Sequence, residues 1–253
     1  MLVDVHCHLH FPEFDNDRDE VIKRCKAANI TAVITSGTDH ANNVKALELA
    51  KKYDIVKASI GIYPDDVVRM SEADIAKELE FIASNSNNIV AIGEIGLDYK
   101  ESTSQERQEK QKKHFKELLV LAEKLGKPVV LHTRKAEAEV VAIMESTKIK
   151  NAVFHCFTGS HKLVKKIADK GWYFSIPPII VRSLHFQGMV NIVPKTQLLT
   201  ETDSPYLAPP PKQRNEPIFI KETIEKIADL KNMNEEEVAK NIFANYQKIF
   251  SKK

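Results

Sequence analysis

Eight short β-rich runs alternate with longer helical patterns along the 253 residues, and no other feature limits the possible folds as strongly. The strand runs are predicted at 2–8, 30–36, 56–62, 89–95, 128–133, 151–156, 172–177 and 197–203. Helical periodicity occupies 17–29, 40–53, 72–84, 105–126, 136–147, 162–170 and 184–192, with two more stretches at 218–231 and 235–250. A strand followed by a helix, repeated eight times, is the pattern of an α/β (β/α)8 TIM barrel. The junctions carry matching punctuation. Gly126-Lys127-Pro128 ends one helix and opens a strand, Gly171 precedes Trp172, and Ser71/Asp74 and Asn234/Glu237 resemble N-cap boxes. Pro209-Pro210-Pro211 reads as a rigid loop after the last strand, so one domain spanning 1–253 is expected.

A barrel of this kind places its chemistry at the C-terminal ends of the strands. In Leu2-Val3-Asp4-Val5-His6-Cys7-His8 the alternation puts Asp4, His6 and His8 on one face. Four more ligand-type residues stand at the ends of later strands: Glu94, His132, His155 and Asp203. Six such residues at equivalent places predict a metal site built by the fold. Four imidazoles and two carboxylates exceed the needs of one tetrahedral ion and suit two divalent ions, with Glu94 bridging them. Zinc, magnesium and manganese all fit this donor set. Asp203 is expected to hold an activated water and accept its proton, with Glu94 as its catalytic partner. Glu201 lies one step below on the same face, where it could orient a ligand histidine or merely meet a cation in the barrel floor.

These residues sit in segments that resemble those of the TatD-related metal-dependent deoxyribonucleases. The segments are Asp4–His8, Gly93-Glu94-Ile95-Gly96-Leu97-Asp98-Tyr99, His132-Thr133-Arg134, His155–Ser160, Glu201–Leu207, Arg214-Asn215-Glu216-Pro217, and Asn245 with Phe250. The resemblance runs from Met1 to Phe250. It implies a TIM-barrel hydrolase with divalent metals, nuclease activity on DNA, and the same ligand set: His6, His8, Glu94, His132, His155 and Asp203. Two departures stand out. Many members have a histidine where this chain has Tyr63. The Ser175-Ile176-Pro177-Pro178-Ile179 segment lacks the small flexible residue expected after strand seven.

Net charge is +2, which excludes a strong global bias toward polyanions, so any anion preference must be local. Candidate cations for the rim are Arg134, Lys135, His161, Lys162, Arg182, Lys212 and Arg214, with Arg134 and Lys162 read as substrate-binding. Tyr63 is read as a hydrogen-bond donor to phosphate or a platform for a base, against packing at the rim. Tyr99, Phe157 and Tyr206 are further platforms, although Phe157 reads equally as core. Three cysteines without a CxxC provide no disulfide framework, and Cys7 and Cys156 are expected in the core. No leader and no membrane-length apolar run is read, so a cytoplasmic protein, monomeric by default, is expected.

The expected function is a metal-dependent phosphodiesterase acting on DNA from an end or on single strands, since a barrel mouth admits a strand terminus more readily than a stiff duplex. An amidohydrolase acting on a small amide, lactone or ester shares the HxH opening. Glu94, where many dinuclear amidohydrolases have a modified lysine, and the rim cations favour phosphate. A barrel that binds nucleic acid or metal without turnover is the third reading.

Overall fold

The computed structural model describes residues 1–211 and 213–251. Eight parallel strands form one sheet in chain order: β1 (Leu2–Cys7), β2 (Ile30–Ser36), β3 (Val56–Ile60), β4 (Ile89–Asp98), β5 (Val129–Arg134), β6 (Ala152–His155), β7 (Tyr173–Ile176) and β8 (Leu198–Thr200). The sheet curls until its ends meet. Thr200 Oγ1 donates to the Val3 carbonyl at 2.6 Å, Asp203 N–H to the His6 carbonyl at 2.9 Å, and His8 N–H to the Ser204 carbonyl at 2.8 Å. This is the predicted TIM barrel, with strands short of or beyond the predicted bounds by a few residues.

The helices are α1 (Arg18–Ala27), α2 (His40–Lys52), α3 (Pro64–Arg69), α4 (Glu72–Ser84), α5 (Gln105–Leu125), α6 (Glu137–Glu145), α7 (His161–Asp169), α8 (Leu184–Ile192), α9 (Ile220–Lys231) and α10 (Glu235–Phe250). Both predicted boxes cap helices: Ser71 Oγ accepts from Asp74 N–H at 3.1 Å, and Asn234 Oδ1 from Glu237 N–H at 2.8 Å. Gly126 ends α5 in the left-handed conformation, φ 62°, where a side chain would be strained. The apolar core is continuous between strands and helices and includes Val3, Val5, Ile92, Leu131, Phe154, Phe174, Phe115 and Ile242, all nearly or fully buried.

Two differences from the predicted elements bear on the site. Helix α3 has only six residues, too few to show a period. Its signal is local: Pro64 at the first position and Asp65 and Asp66 in the first turn. Strand β4 continues past residue 95 to Asp98 because Gly96 adopts φ 147° and lets β5 come close. A Cβ at Gly96 would stand 2.0 Å from the His132 carbonyl oxygen. Among the described residues, no helix is long and apolar enough to cross a membrane.

Candidate metal centre

The barrel's closing seam brings His6 and His8, from β1 and the residue just beyond it, against the turn that follows β8. His6 Nε2 lies 3.5 Å and His8 Nε2 3.3 Å from Asp203 Oδ1. Glu94 projects between the two halves of the site. Its Oε2 faces His6 Nε2 at 3.4 Å and His8 Nε2 at 3.7 Å. Its Oε1 faces His132 Nδ1 at 2.6 Å and His155 Nε2 at 2.9 Å. The six expected ligands therefore converge, and fall into two groups that share Glu94.

Each imidazole is oriented from behind. His8 Nδ1–H donates to the Ser36 carbonyl at 2.9 Å, which fixes its tautomer and turns Nε2 toward the acids. His6 Nδ1 meets Ser36 Oγ at 3.1 Å. His132 Nε2 lies 3.0 Å from Asp98 Oδ2. Glu201, fully buried, accepts from Cys156 N–H at 2.7 Å and from the Ser175 hydroxyl, and its Oε2 lies 3.7 Å from His155 Nδ1. Asp98 is the residue that sequence reasoning missed. The available signal was parity: Glu94, Gly96 and Asp98 share one strand face once β4 is allowed its full length.

The electrostatics are those of a cluster waiting to exchange protons for a cation. Burial would raise the Glu94 carboxyl, but the His155 and His6 charges and the bond to His132 hold it well below the usual range. Burial and the neighbouring His155 oppose protonation of His6, yet Glu94 and Asp203 push it up to about 9. Burial likewise opposes a raised His155, and Glu94 overcomes it. Asp203 is held low against burial by the facing His6 and His8 imidazoles. His6 Nε2 is buried without a hydrogen-bond partner in good geometry. Mixed imidazole and carboxylate donors around such an orphaned nitrogen fit divalent cations. His6, His8 and Asp203 lie close enough together to share one ion, as do His6, Glu94 and His155.

Above these groups opens a cavity of about 660 Å³. Arg134 lines it, is exposed, and among the described residues its side chain has no hydrogen-bond or ion-pair partner. Phe11 and Tyr206 form an aromatic stretch of wall beside His8, with ring centroids 6.2 Å apart, and Tyr206 is 51% exposed. Tyr63 also lines the cavity, but its hydroxyl is engaged, donating to Asp98 Oδ2 at 3.0 Å and lying 3.3 Å from His132 Nε2.

Several expected rim groups lie elsewhere or are already paired. Lys162 is exposed on the first turn of α7 and is not among the residues lining the cavity. Arg182 donates to the carbonyls of Ala208 (3.0 Å) and Pro209, tying loop seven to loop eight. Arg214 donates to both oxygens of Asp17 and stacks over Phe14, so it is a structural clamp. His161 stacks on His185, and Lys212 lies outside the described residues. Tyr99 donates to Glu139 at 2.6 Å, and Phe157 is fully buried against Phe154 and Phe174. Cys7 is core, as expected. Cys156 is not: β6 ends at His155, the backbone turns to φ 42°, and Cys156 reaches the cavity wall.

Comparison with known proteins shows the family and the fold. The family described as TatD related DNase matches residues 3–251. An uncharacterized metal-dependent hydrolase of Methanocaldococcus jannaschii, MJ1582, is 39% identical over 99% of this chain and 97% of its own length. The 3'-5' ssDNA/RNA exonuclease TatD of Pantoea ananatis is 32% identical over 98% of this chain and 99% of its own. The crystal structure of YJJV, a TatD homologue from Escherichia coli, superposes with a TM-score of 0.91 at 25% identity, covering 100% of this chain and 98% of that one.

Proposed function

Because this chain belongs to the TatD-related DNase family of metal-dependent hydrolases, we propose that it hydrolyses phosphodiester bonds of single-stranded DNA from a strand end, using two divalent cations. The observation that carries the reading is the division of Glu94: Oε2 faces the first pair of histidines and Oε1 the second. His6, His8, Asp203 and Glu94 would hold one ion, and His132, His155 and Glu94 the other. Ions bound there would supply Lewis acidity toward a phosphate oxygen and lower the pKa of water so that hydroxide is available near neutral pH.

The chain's own groups account for the remaining steps. Asp203 is ionised at neutral pH, only 16% exposed, and lines the cavity, so it can orient the attacking water and accept its proton. Arg134, on the wall and without a side-chain partner among the described residues, offers a planar set of donors to phosphate. Phe11 and Tyr206 offer π-faces to a base without reading its edge, which suits a substrate of any sequence. A cavity with a closed floor receives a strand terminus, in keeping with the exonuclease relative. That relative's name includes RNA, so RNA belongs among the substrates tried.

The test is metal stripping followed by add-back of zinc, magnesium or manganese, with 5'- and 3'-labelled single- and double-stranded DNA, RNA and closed circular DNA. The expected result is stepwise shortening of single strands, absent after chelation. Cleavage of closed circles as fast as of linear strands would overturn the end-directed reading. Turnover of small amides or lactones with none of phosphodiesters would overturn the nuclease reading.

A further inference from the structure

Asp98 is fully buried at the end of β4, and both of its oxygens are engaged. Oδ1 accepts from Lys100 N–H at 2.9 Å and Glu101 N–H at 3.3 Å. Oδ2 accepts from the Tyr63 hydroxyl and from His132 Nε2, each at 3.0 Å. A carboxylate only accepts, so Nε2 of His132 carries a proton toward Asp98, and Nδ1, which faces Glu94 and His155, is the nitrogen that must give up its proton to a cation. The histidines across the site are backed differently: both Nδ1 atoms of His6 and His8 meet neutral groups of Ser36. A carboxylate behind the imidazoles, on the nitrogen turned away from the centre, therefore stands on the His132 and His155 side only, with Asp98 bonded to His132 and Glu201 3.7 Å from His155 Nδ1.

We propose that Asp98 is a positioning residue for the cation held by His132 and His155, that it tunes this position alone, and that Tyr63 moderates its effect. The inference rests on the two-cation reading above. A carboxylate behind a ligating imidazole fixes the ring and raises its basicity, and losing such a partner costs roughly 10–100-fold in metal affinity. Tyr63 acts in the opposite direction. The two backbone bonds already fix the Asp98 carboxylate, so the Tyr63 hydroxyl mainly shares its charge and weakens its pull on His132. In Asp98→Asn the amide NH2 facing Nε2 would drive the proton to Nδ1, where the cation must bind. In Tyr63→Phe Asp98 bonds His132 undivided.

The experiment is titration of the metal-stripped full chain with zinc by calorimetry and with cobalt(II) by absorption. The step belonging to His132 and His155 is identified by its loss in His132→Ala. Asp98→Asn should weaken that step by about 10–100-fold and shift its cobalt band, leaving the other step in place. Tyr63→Phe should tighten the same step a few-fold, and Ser36→Ala should leave it unchanged. A role confined to folding would weaken both steps together, or move Tyr63→Phe the same way as Asp98→Asn, and either result overturns the proposal. Should Asp98→Asn fail to fold by circular dichroism, the sign of the Tyr63→Phe change decides alone. A single ion per wild-type chain overturns the two-cation reading and this proposal with it.

Discussion

Glu94 Oε1 lies 2.6 Å from His132 Nδ1, at hydrogen-bond distance across the place where the second ligand group converges. In the metal-free molecule protons bridge the acids and imidazoles, and cation uptake must expel them. His6, pushed up to about 9, holds its proton at neutral pH and loses it only in alkali. Apparent zinc affinity should therefore climb from pH 6 to pH 9 and level off above, with proton release greatest at the acid end. Calorimetry in buffers of different ionisation heat measures this. An affinity independent of pH would contradict it.

Stability of the metal-free protein should follow the same groups. The raised His6 stabilises fully below its ordinary 6.5, and that contribution disappears as pH rises through about 9. Asp98, held down to about 2 against burial by His132, stabilises above its ordinary 3.8 and loses this as pH falls through about 2. Burial pushes Asp4 up to about 8, so it penalises folding increasingly as pH rises from 3.8 to 8. The chelated protein should melt highest at about pH 4, decline through neutrality as the Asp4 penalty grows, and lose several kcal/mol by pH 9 as the His6 contribution goes too, each pKa unit being worth about 1.4 kcal/mol. Saturating zinc should restore the alkaline loss. Scanning calorimetry across pH, with and without chelator, is the measurement, and a chelated protein most stable at pH 9 would refute the assignment.

Asp203→Asn removes the proton acceptor and one ligand while keeping the shape. Turnover should fall by about 10²–10⁴, with the melting temperature of the metal-free protein changing far less. Single-turnover kinetics on labelled single strands would show it. Wild-type rates in this variant would remove Asp203 from the reaction.

On the cavity wall, Arg134→Ala should raise KM for DNA by roughly tenfold or more, the value of a charge-assisted hydrogen bond of about 1.5–3 kcal/mol. The effect on bis-p-nitrophenyl phosphate should be smaller. Tyr206→Ala should cost about 1–3 kcal/mol on strands with bases and little on strands with abasic ends. Equal losses on both substrates would place these residues in support of the metal ligands instead.

Gly96→Ala forces a Cβ to within 2.0 Å of the His132 carbonyl oxygen at a φ of 147°. The β4–β5 pairing that aligns Gly96 with His132 should open locally, costing about 3 kcal/mol or more and reducing metal retention. Thermal unfolding and metal content after dialysis test it together. A variant with wild-type stability and full metal would show that the strands can separate without disturbing His132.

Gly96 also shows where reading the sequence runs out. Strand periods placed all eight strands, because alternation and apolar content are local properties. The extent of β4 depends on a neighbouring strand approaching a glycine, which is a tertiary fact, and with the missed end of β4 went Asp98. Arg182 and Arg214 were read as rim cations because a charge in a loop gives no sign of its partner. In the folded chain one holds the carbonyls of Ala208 and Pro209 and the other is clamped by Asp17. Cys156 left its strand face because β6 ends one residue earlier. His6, His8, Glu94, His132, His155 and Asp203 converge where strand-end logic expected them, since barrel closure alone determines that meeting.

The seam between His6 and Asp203 has a consequence for biosynthesis. The histidines of the first strand are completed by a partner nearly two hundred positions later, so a growing chain on the ribosome lacks Asp203 and the seam that holds it until the last strand emerges. Hydrolytic competence can arise only once the last strand has emerged and docked, and an unfinished product poses no threat to the nucleic acid around it.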